Sequence, residues 1–195
     1  FASRQIRHRA TLGGNLVTAS PIGDTAPVLL ALDADVQLVS AAGSRRVPLA
    51  EFFTGYRKTV LRSDEIMLAV IVPRGLPGNM EFFKVSKRRE MDISIVSAAI
   101  RIEEVNGMVV RARLAFGGVA ATPLRAEKAE AALIGNPLKI DDGFLDLLES
   151  EFTPMSDVRG SAEFRKSVIR GLFEKFVSGE RSETIDGELG FSDSE

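Results

Sequence analysis

The rhythm of apolar and polar positions changes several times along the chain. After a basic opening at residues 1–9, Val28-Leu29-Leu30-Ala31-Leu32 supplies a short helical body. Asp24 or Thr25 stands where its cap belongs, and Pro27 falls in its first turn. Asp33-Ala34-Asp35 ends it. Residues 36–40 and 44–48 read as two strands joined by Ala41-Ala42-Gly43. Residues 49–53 give a helical turn stopped by Gly55. Residues 65–72 are an almost unbroken apolar run, the pattern of a strand buried on both faces. Pro73-Arg74-Gly75-Leu76-Pro77-Gly78-Asn79 then breaks the chain. A border is expected there, between a unit at residues 1–75 and another at residues 79–179.

In the second unit, residues 80–85 read as a strand, and a charged loop follows at residues 86–92. Val96, Ala98, Ile100 and Ile102 alternate with period two. Val110, Ala112, Leu114 and Phe116 do the same after Asn106-Gly107, the dipeptide that favours a tight hairpin. Arg111 and Arg113 fall on the other face, which is expected to be wetter or to meet a partner. From Thr122 the pattern is helical, with Thr122 as cap, Pro123 at the first position, a body at residues 124–134 and Gly135 past its end. Residues 142–152 give a second helix and residues 162–178 a third. The third carries an apolar stripe of Phe164, Val168, Leu172, Phe173 and Phe176, read as core. Residues 180–195 are acidic and rich in Ser and Gly, a loose tail by composition. Strands that pair locally, followed by sequential helices, predict an α+β layer: a small antiparallel sheet with three helices on one face.

Composition narrows the chemistry. Of 195 residues, 45% are hydrophobic and 27% charged, which suits a soluble globular core. A net charge of −2 gives no reason to expect nucleic acid or an anionic membrane as partner. No apolar run approaches the roughly 20 residues that span a bilayer, and the expected location is cytoplasmic. The absence of cysteine excludes disulfides, a thiolate zinc site and an iron–sulfur cluster ligated by this chain. His8, alone among Arg4, Arg7 and Arg9, reads as a surface residue. There is no nucleophile elbow, P-loop or Gly-x-Gly-x-x-Gly. The chain opens on Phe1 at full structural density, as a segment of a longer protein would.

The densest run of small polar residues is at residues 10–27. Gly13 and Gly14 would let the backbone take positive φ and let a ligand approach the main chain. Thr11, Asn15, Thr18 and Ser20 surround a place where N–H groups can face an anion or a polar cofactor edge. The plain alternative is a structural turn. Asp24 nearby, with Arg57, Lys58, Lys84, Lys87, Arg88 and Arg89, would suit a phosphorylated cofactor whose own ring system does the reaction.

Thr11-Leu12-Gly13-Gly14-Asn15-Leu16-Val17-Thr18-Ala19-Ser20-Pro21-Ile22-Gly23-Asp24 resembles the FAD-binding motif of the flavoprotein subunit or domain of molybdenum hydroxylases. That group includes xanthine dehydrogenases and the medium subunit of aerobic carbon monoxide dehydrogenases. The resemblance continues in Phe52-Phe53-Thr54-Gly55-Tyr56-Arg57-Lys58-Thr59, in Asp64-Glu65-Ile66-Met67, and from Phe83-Lys84-Val85 through Asp92-Ile93. It extends to Phe116-Gly117-Gly118-Val119-Ala120 and Ser161-Ala162-Glu163-Phe164-Arg165, and Tyr56-Arg57-Lys58-Thr59 leans toward the xanthine dehydrogenase branch.

The resemblance implies that residues 1–75 are the later part of a two-part FAD-binding domain (PCMH-type), followed by the flavoprotein C-terminal domain. Phe1 would lie near the flavin or its chain. Thr11, Leu12, Gly13, Gly14 and Asn15 would contact the cofactor's polar middle, and Asp24 would accept from a cofactor hydroxyl. Met67 would lie against the ring system, with Lys84 as a cation beside the flavin. The loop from Lys87 to Asp92 would flank the side where an electron acceptor docks. The first glycine-rich FAD loop would come from an upstream segment. Iron–sulfur clusters and molybdopterin would sit on partner domains or subunits, and electrons would pass through FAD to NAD or another acceptor. The alternative is an assembly module of the same complex that no longer binds cofactor, with Arg111, Arg113 and the aromatic helix as its interface.

Overall fold

The computed structural model describes residues 3–88 and 91–179. Phe1, Arg89 and the tail at residues 180–195 lie outside the described residues.

In β1 (Asp35–Ser40), alternate residues Val36 and Leu38 are fully buried. The strand pairs antiparallel with β2 (Gly43–Pro48) on one side and β5 (Ile66–Ile71) on the other, giving the order β2-β1-β5. Around this sheet lie α1 (Arg4–Arg7), α2 (Leu12–Val17), α3 (Thr25–Ala31) and α4 (Leu49–Phe52). A small hairpin of β3 (Phe53–Gly55) and β4 (Lys58–Thr59) completes the unit. Leu16, Leu29, Leu30, Leu49 and Phe52 join Val36 and Leu38 in one core. The apolar run of β5 is not buried on both faces: Ile66 and Leu68 are 65% and 60% exposed. Met67 and Val70 face this core, while Ile66 and Leu68 lie on the opposite, solvent-facing side of the strand.

The second unit is a four-stranded antiparallel sheet of β6 (Asn79–Val85), β7 (Val96–Val105), β8 (Met108–Gly117) and β9 (Leu124–Arg125), in chain order. Asn106 and Gly107 turn the β7–β8 hairpin with φ of 53° and 76°, as Asn-Gly turns require. The register shifts between Glu103 and Glu104, which buries Val109 and leaves Val110 exposed. That bulge corrects the alternation expected from Val110. Beneath one face pack α5 (Glu127–Leu133), α6 (Asp142–Ser150) and α7 (Ala162–Ser178). Ile100, Leu114, Phe116, Leu148, Ile169 and Phe173 fill the interface, and Phe116 meets Phe152 edge-on at 5.1 Å.

Two helix boundaries differ in instructive ways. α5 begins at Glu127 because Leu124 and Arg125 pair with Phe116 and Ala115, and Ala126 N–H donates to Leu114 C=O at 2.9 Å. Neither Thr122 nor Pro123 therefore starts a helix. α7 keeps its expected span, from the Ser161 cap to Gly179 at φ 68°, but Phe164 is half-exposed while Arg165 is buried.

The face carrying the arginines is not a free wet surface. α3 covers its inner part, where Ala99 and Ala115 join the first unit's core. Asp33, at φ 50° beyond the end of α3, receives Arg101 Nη2 at 2.9 Å, Arg113 Nε at 2.5 Å and Arg125 Nη1 at 3.3 Å. Glu130 takes Arg125 and the Leu114 N–H. The chain supplies its own partner for this face, apart from exposed Arg111.

Arg45 ties β2 to the start of β5. Its Nε and Nη2 donate to the Glu65 carboxylate at 2.6 and 2.8 Å, and Arg62 N–H adds a third donor at 2.8 Å. The Arg45 bond, then the Arg62 amide, lowers the Glu65 pKa from 4.5 to about 2. A depressed carboxyl pKa stabilises the fold above the unfolded value and loses that contribution as pH falls toward the folded value. Thermal unfolding should show stability falling between pH 4.5 and about 2, and Glu65→Gln should flatten that part of the profile. An unchanged profile would contradict this.

Candidate cofactor site

Thr11 sits in extended backbone, and its Oγ1 accepts from Gly14 N–H at 3.0 Å, the side-chain cap of a helix start. Gly13 and Gly14 are therefore the first turn of α2, not a left-handed loop. This corrects the expectation of positive φ. What the glycines provide is space: a Cβ on Gly14 would stand 2.8 Å from the capping Oγ1. On Gly13 it would meet only Met67 Sδ, at 3.9 Å. The first-turn N–H groups of Leu12 and Gly13 have no acceptor among the described residues. Buried Leu16 anchors the helix while Leu12 remains exposed.

The far end of α2 is joined to α3 through Asn15, whose Oδ1 accepts from the Thr25 hydroxyl. Gly23 lies beside that amide, where a Cβ would make an ordinary contact with the same oxygen at 3.4 Å and a tighter one with Ser20 C=O at 3.3 Å. Asp24 precedes α3 but does not cap it. Its carboxylate is engaged elsewhere: Oδ2 receives Lys84 Nζ at 2.8 Å, and Oδ1 receives the Ser94 hydroxyl. Lys84 also donates to Asp92 C=O at 2.8 Å. Asp24 is 9% exposed, so this pairing satisfies a carboxylate almost removed from water.

The structure thus joins the residues read from the sequence into one rim. Thr11 and Gly14 share a bond, Gly13 faces Met67, Asn15 leads through Thr25 to Asp24, and Asp24 holds Lys84. Ser94 is not singled out by sequence, Thr25 reads only as a helix cap, and Asp92 only as the end of the charged loop. Ser94 follows a charged loop with no periodic signal, and its partner lies seventy positions away. Arg57 and Lys58 belong to the β3–β4 hairpin, where Arg57 lies over the Tyr56 ring at 6.0 Å.

The charged loop has internal order. Arg88 N–H and Ile93 N–H donate to the Asp92 carboxylate at 2.8 and 2.9 Å. The Arg88 amide holds the Asp92 carboxyl below the usual range, against an opposing effect of burial. Lys87 Nζ reaches Val158 C=O at 2.7 Å. No group of potential metal ligands occurs among the described residues, and none of their helices is long and apolar enough to cross a membrane.

Unaccepted main-chain donors, an uncrowded glycine, an apolar thioether beside it and a buried carboxylate–ammonium pair fit a flat cofactor with both polar and apolar parts. The comparisons say which. Residues 1–75 match the family described as FAD binding domain in molybdopterin dehydrogenase, and residues 81–179 match the CO dehydrogenase flavoprotein C-terminal domain. The chain belongs to this FAD-binding flavoprotein family of molybdenum hydroxylases.

Among its relatives, the nicotinate hydroxylase hnxS of Emericella nidulans is 40% identical over 187 residues. The xanthine dehydrogenase/oxidase of Gallus gallus is 40% identical over 184 residues. Each alignment covers 90% of this chain and 14% of the relative. The Cu,Mo-CO dehydrogenase in its cyanide-inactivated form superposes with a TM-score of 0.85 at 29% identity, over 91% of this chain and 63% of that chain. Quinoline 2-oxidoreductase from Pseudomonas putida 86 gives 0.81 at 28% identity, over 91% and 62%. The chain therefore spans a small part of the first two and under two thirds of the solved chains.

Gly14→Ala should cost about 1 kcal/mol by displacing the Thr11 cap, whereas Gly13→Ala should stabilise the cofactor-free protein by about 0.5 kcal/mol. Chemical denaturation measures both. The opposite order would contradict the helical assignment of the two glycines.

Proposed function

We propose that this chain forms the FAD-holding part of a cytoplasmic, xanthine-dehydrogenase-like oxidoreductase. The carrying observation is the single rim that links Thr11, Gly13, Met67, Asn15, Asp24 and Lys84 within a chain of this family. Residues 1–75 would be the later part of the FAD-binding domain, and residues 79–179 the C-terminal domain. An upstream segment would contribute the remaining wall, and Phe1 would lie near the flavin or its chain.

The residues divide the binding work by chemistry. The Leu12 and Gly13 N–H groups donate to the polar middle of the cofactor, and Thr11, Gly14 and Asn15 hold that turn in place. Met67 and Leu12 offer apolar surface to the ring system. A carboxylate has lone pairs beyond two bonds, so Asp24 can accept from a cofactor hydroxyl while keeping Lys84 and Ser94. Lys84, fixed by Asp24 and Asp92 C=O, presents its charge at a set place. Bound FAD supplies the relay between iron–sulfur clusters, reduced by a molybdopterin component on partner domains or subunits, and NAD or another acceptor.

The test is flavin content of the full-length protein after gel filtration. The wild type should carry the yellow flavin absorbance. Gly13→Ala should fold yet carry less flavin, because the added methyl enters the cofactor's approach, and Asp24→Ala should also lose flavin. A folded, colourless wild type would overturn the FAD reading in favour of a docking module. Full flavin in both variants would refute this placement.

A further inference from the structure

The rim is held from behind by residues of the second unit that do not line it. Arg165 on α7 is 3% exposed. Its Nη1 donates to Ile95 C=O and to Gly118 C=O at 3.0 Å, and its Nη2 meets Asp157 Oδ1 at 2.8 Å. Ile95 directly follows Ser94, the residue whose hydroxyl binds Asp24. Gly118 works on the other partner: its N–H donates to Pro21 C=O at 2.8 Å, fixing the loop that leads into Asp24. Gly118 takes φ of 80°, and a Cβ there would stand 2.3 Å from Ile95 C=O. One guanidinium and one glycine thus set both sides of the Ser94–Asp24 bond.

We propose that Ser94 and Arg165 are positioning residues of the FAD site: Arg165 pins Ile95, and Ser94 beside it aims the Asp24 carboxylate and, through it, Lys84. This rests on the FAD reading of the rim. Burying a guanidinium is costly unless its donors are used, and Arg165 spends two of its bonds on the carbonyls of Ile95, next to Ser94, and of Gly118, which holds Pro21, while its Nε has no partner among the described residues. Without the Ser94 hydroxyl, Asp24 Oδ1 would turn toward whatever donor is left, taking Lys84 with it. Beyond Lys84, the second unit would then shape the cofactor site through residues that do not touch the cofactor.

FAD titration of the apo form of the full-length protein tests this, with the dissociation constant and the position of the flavin visible band as readouts. Ser94→Ala removes one oxygen and should weaken FAD about tenfold, the size of a hydrogen bond to a charged group, and shift the band. Asp24→Asn should also weaken it, and the double variant should be no weaker than Asp24→Asn alone. Arg165→Lys should act in the same direction as Ser94→Ala. Should that variant fail to fold, the Ser94–Asp24 cycle still decides. Additive losses, or wild-type affinity in Ser94→Ala beside a weakened Asp24→Asn, would overturn the proposal while leaving the FAD reading intact. Wild-type affinity in Asp24→Asn would overturn it as well. No FAD binding by the wild type would instead remove the reading on which it rests.

Discussion

A short helix held at both ends by opposite charges organises this chain. α3 has Asp24 before its first turn and Asp33 past its last, and each finds its cations in the other unit. Lys84 of β6 holds the first; Arg101, Arg113 and Arg125 of β7, β8 and β9 hold the second. Asp24 is almost out of water and Asp33 partly so, and a carboxylate drawn from water is tolerable only when paired. That requirement lays α3 on the face of the second sheet, where small Ala99 and Ala115 let it approach. The two units share a core because the charges leave α3 one place to lie.

The rim of the candidate site follows from this placement. Asp24 makes no side-chain cap to its own helix and serves Lys84 and Ser94 instead, and the loop around it is closed by Gly118 and by the amide of Asn15. α2 is thereby set with its open first turn beside Met67 of β5. Residues far apart in sequence arrive at one edge, and the edge belongs to both units. The same logic explains a buried Arg165 where the helical period called for Phe164. Carbonyls left at the junction need a donor, and the phenyl ring is the group moved outward.

Much of the fold was legible because it is local. Asn106-Gly107 fixes its hairpin, and Ser161 and Gly179 bound their helix by cap chemistry alone. Interactions across long separations were not legible. Leu124 and Arg125 read as helix, yet pairing with β8 and the pull of Glu130 and Asp33 make them a strand. The run at residues 65–72 reads as fully buried because an apolar run does not say whether both faces are covered, and one face of β5 is not. Gly13-Gly14 reads as a stretch of positive φ, which the helix start overturns. The same small residues suit a left-handed turn and a capped helix start, and only the Thr11 hydroxyl distinguishes them. Asp24 and Lys84 were both named from sequence, but their pairing and Ser94's part in it needed the fold.

Amide hydrogen exchange of the full-length protein, with and without FAD, tests the central claim most directly. A cofactor seated on this rim should slow exchange at Leu12 and Gly13 and, through Asp24, at residues 93–95 in the same titration. Unchanged exchange at Leu12 and Gly13 in a protein saturated with FAD would contradict the account.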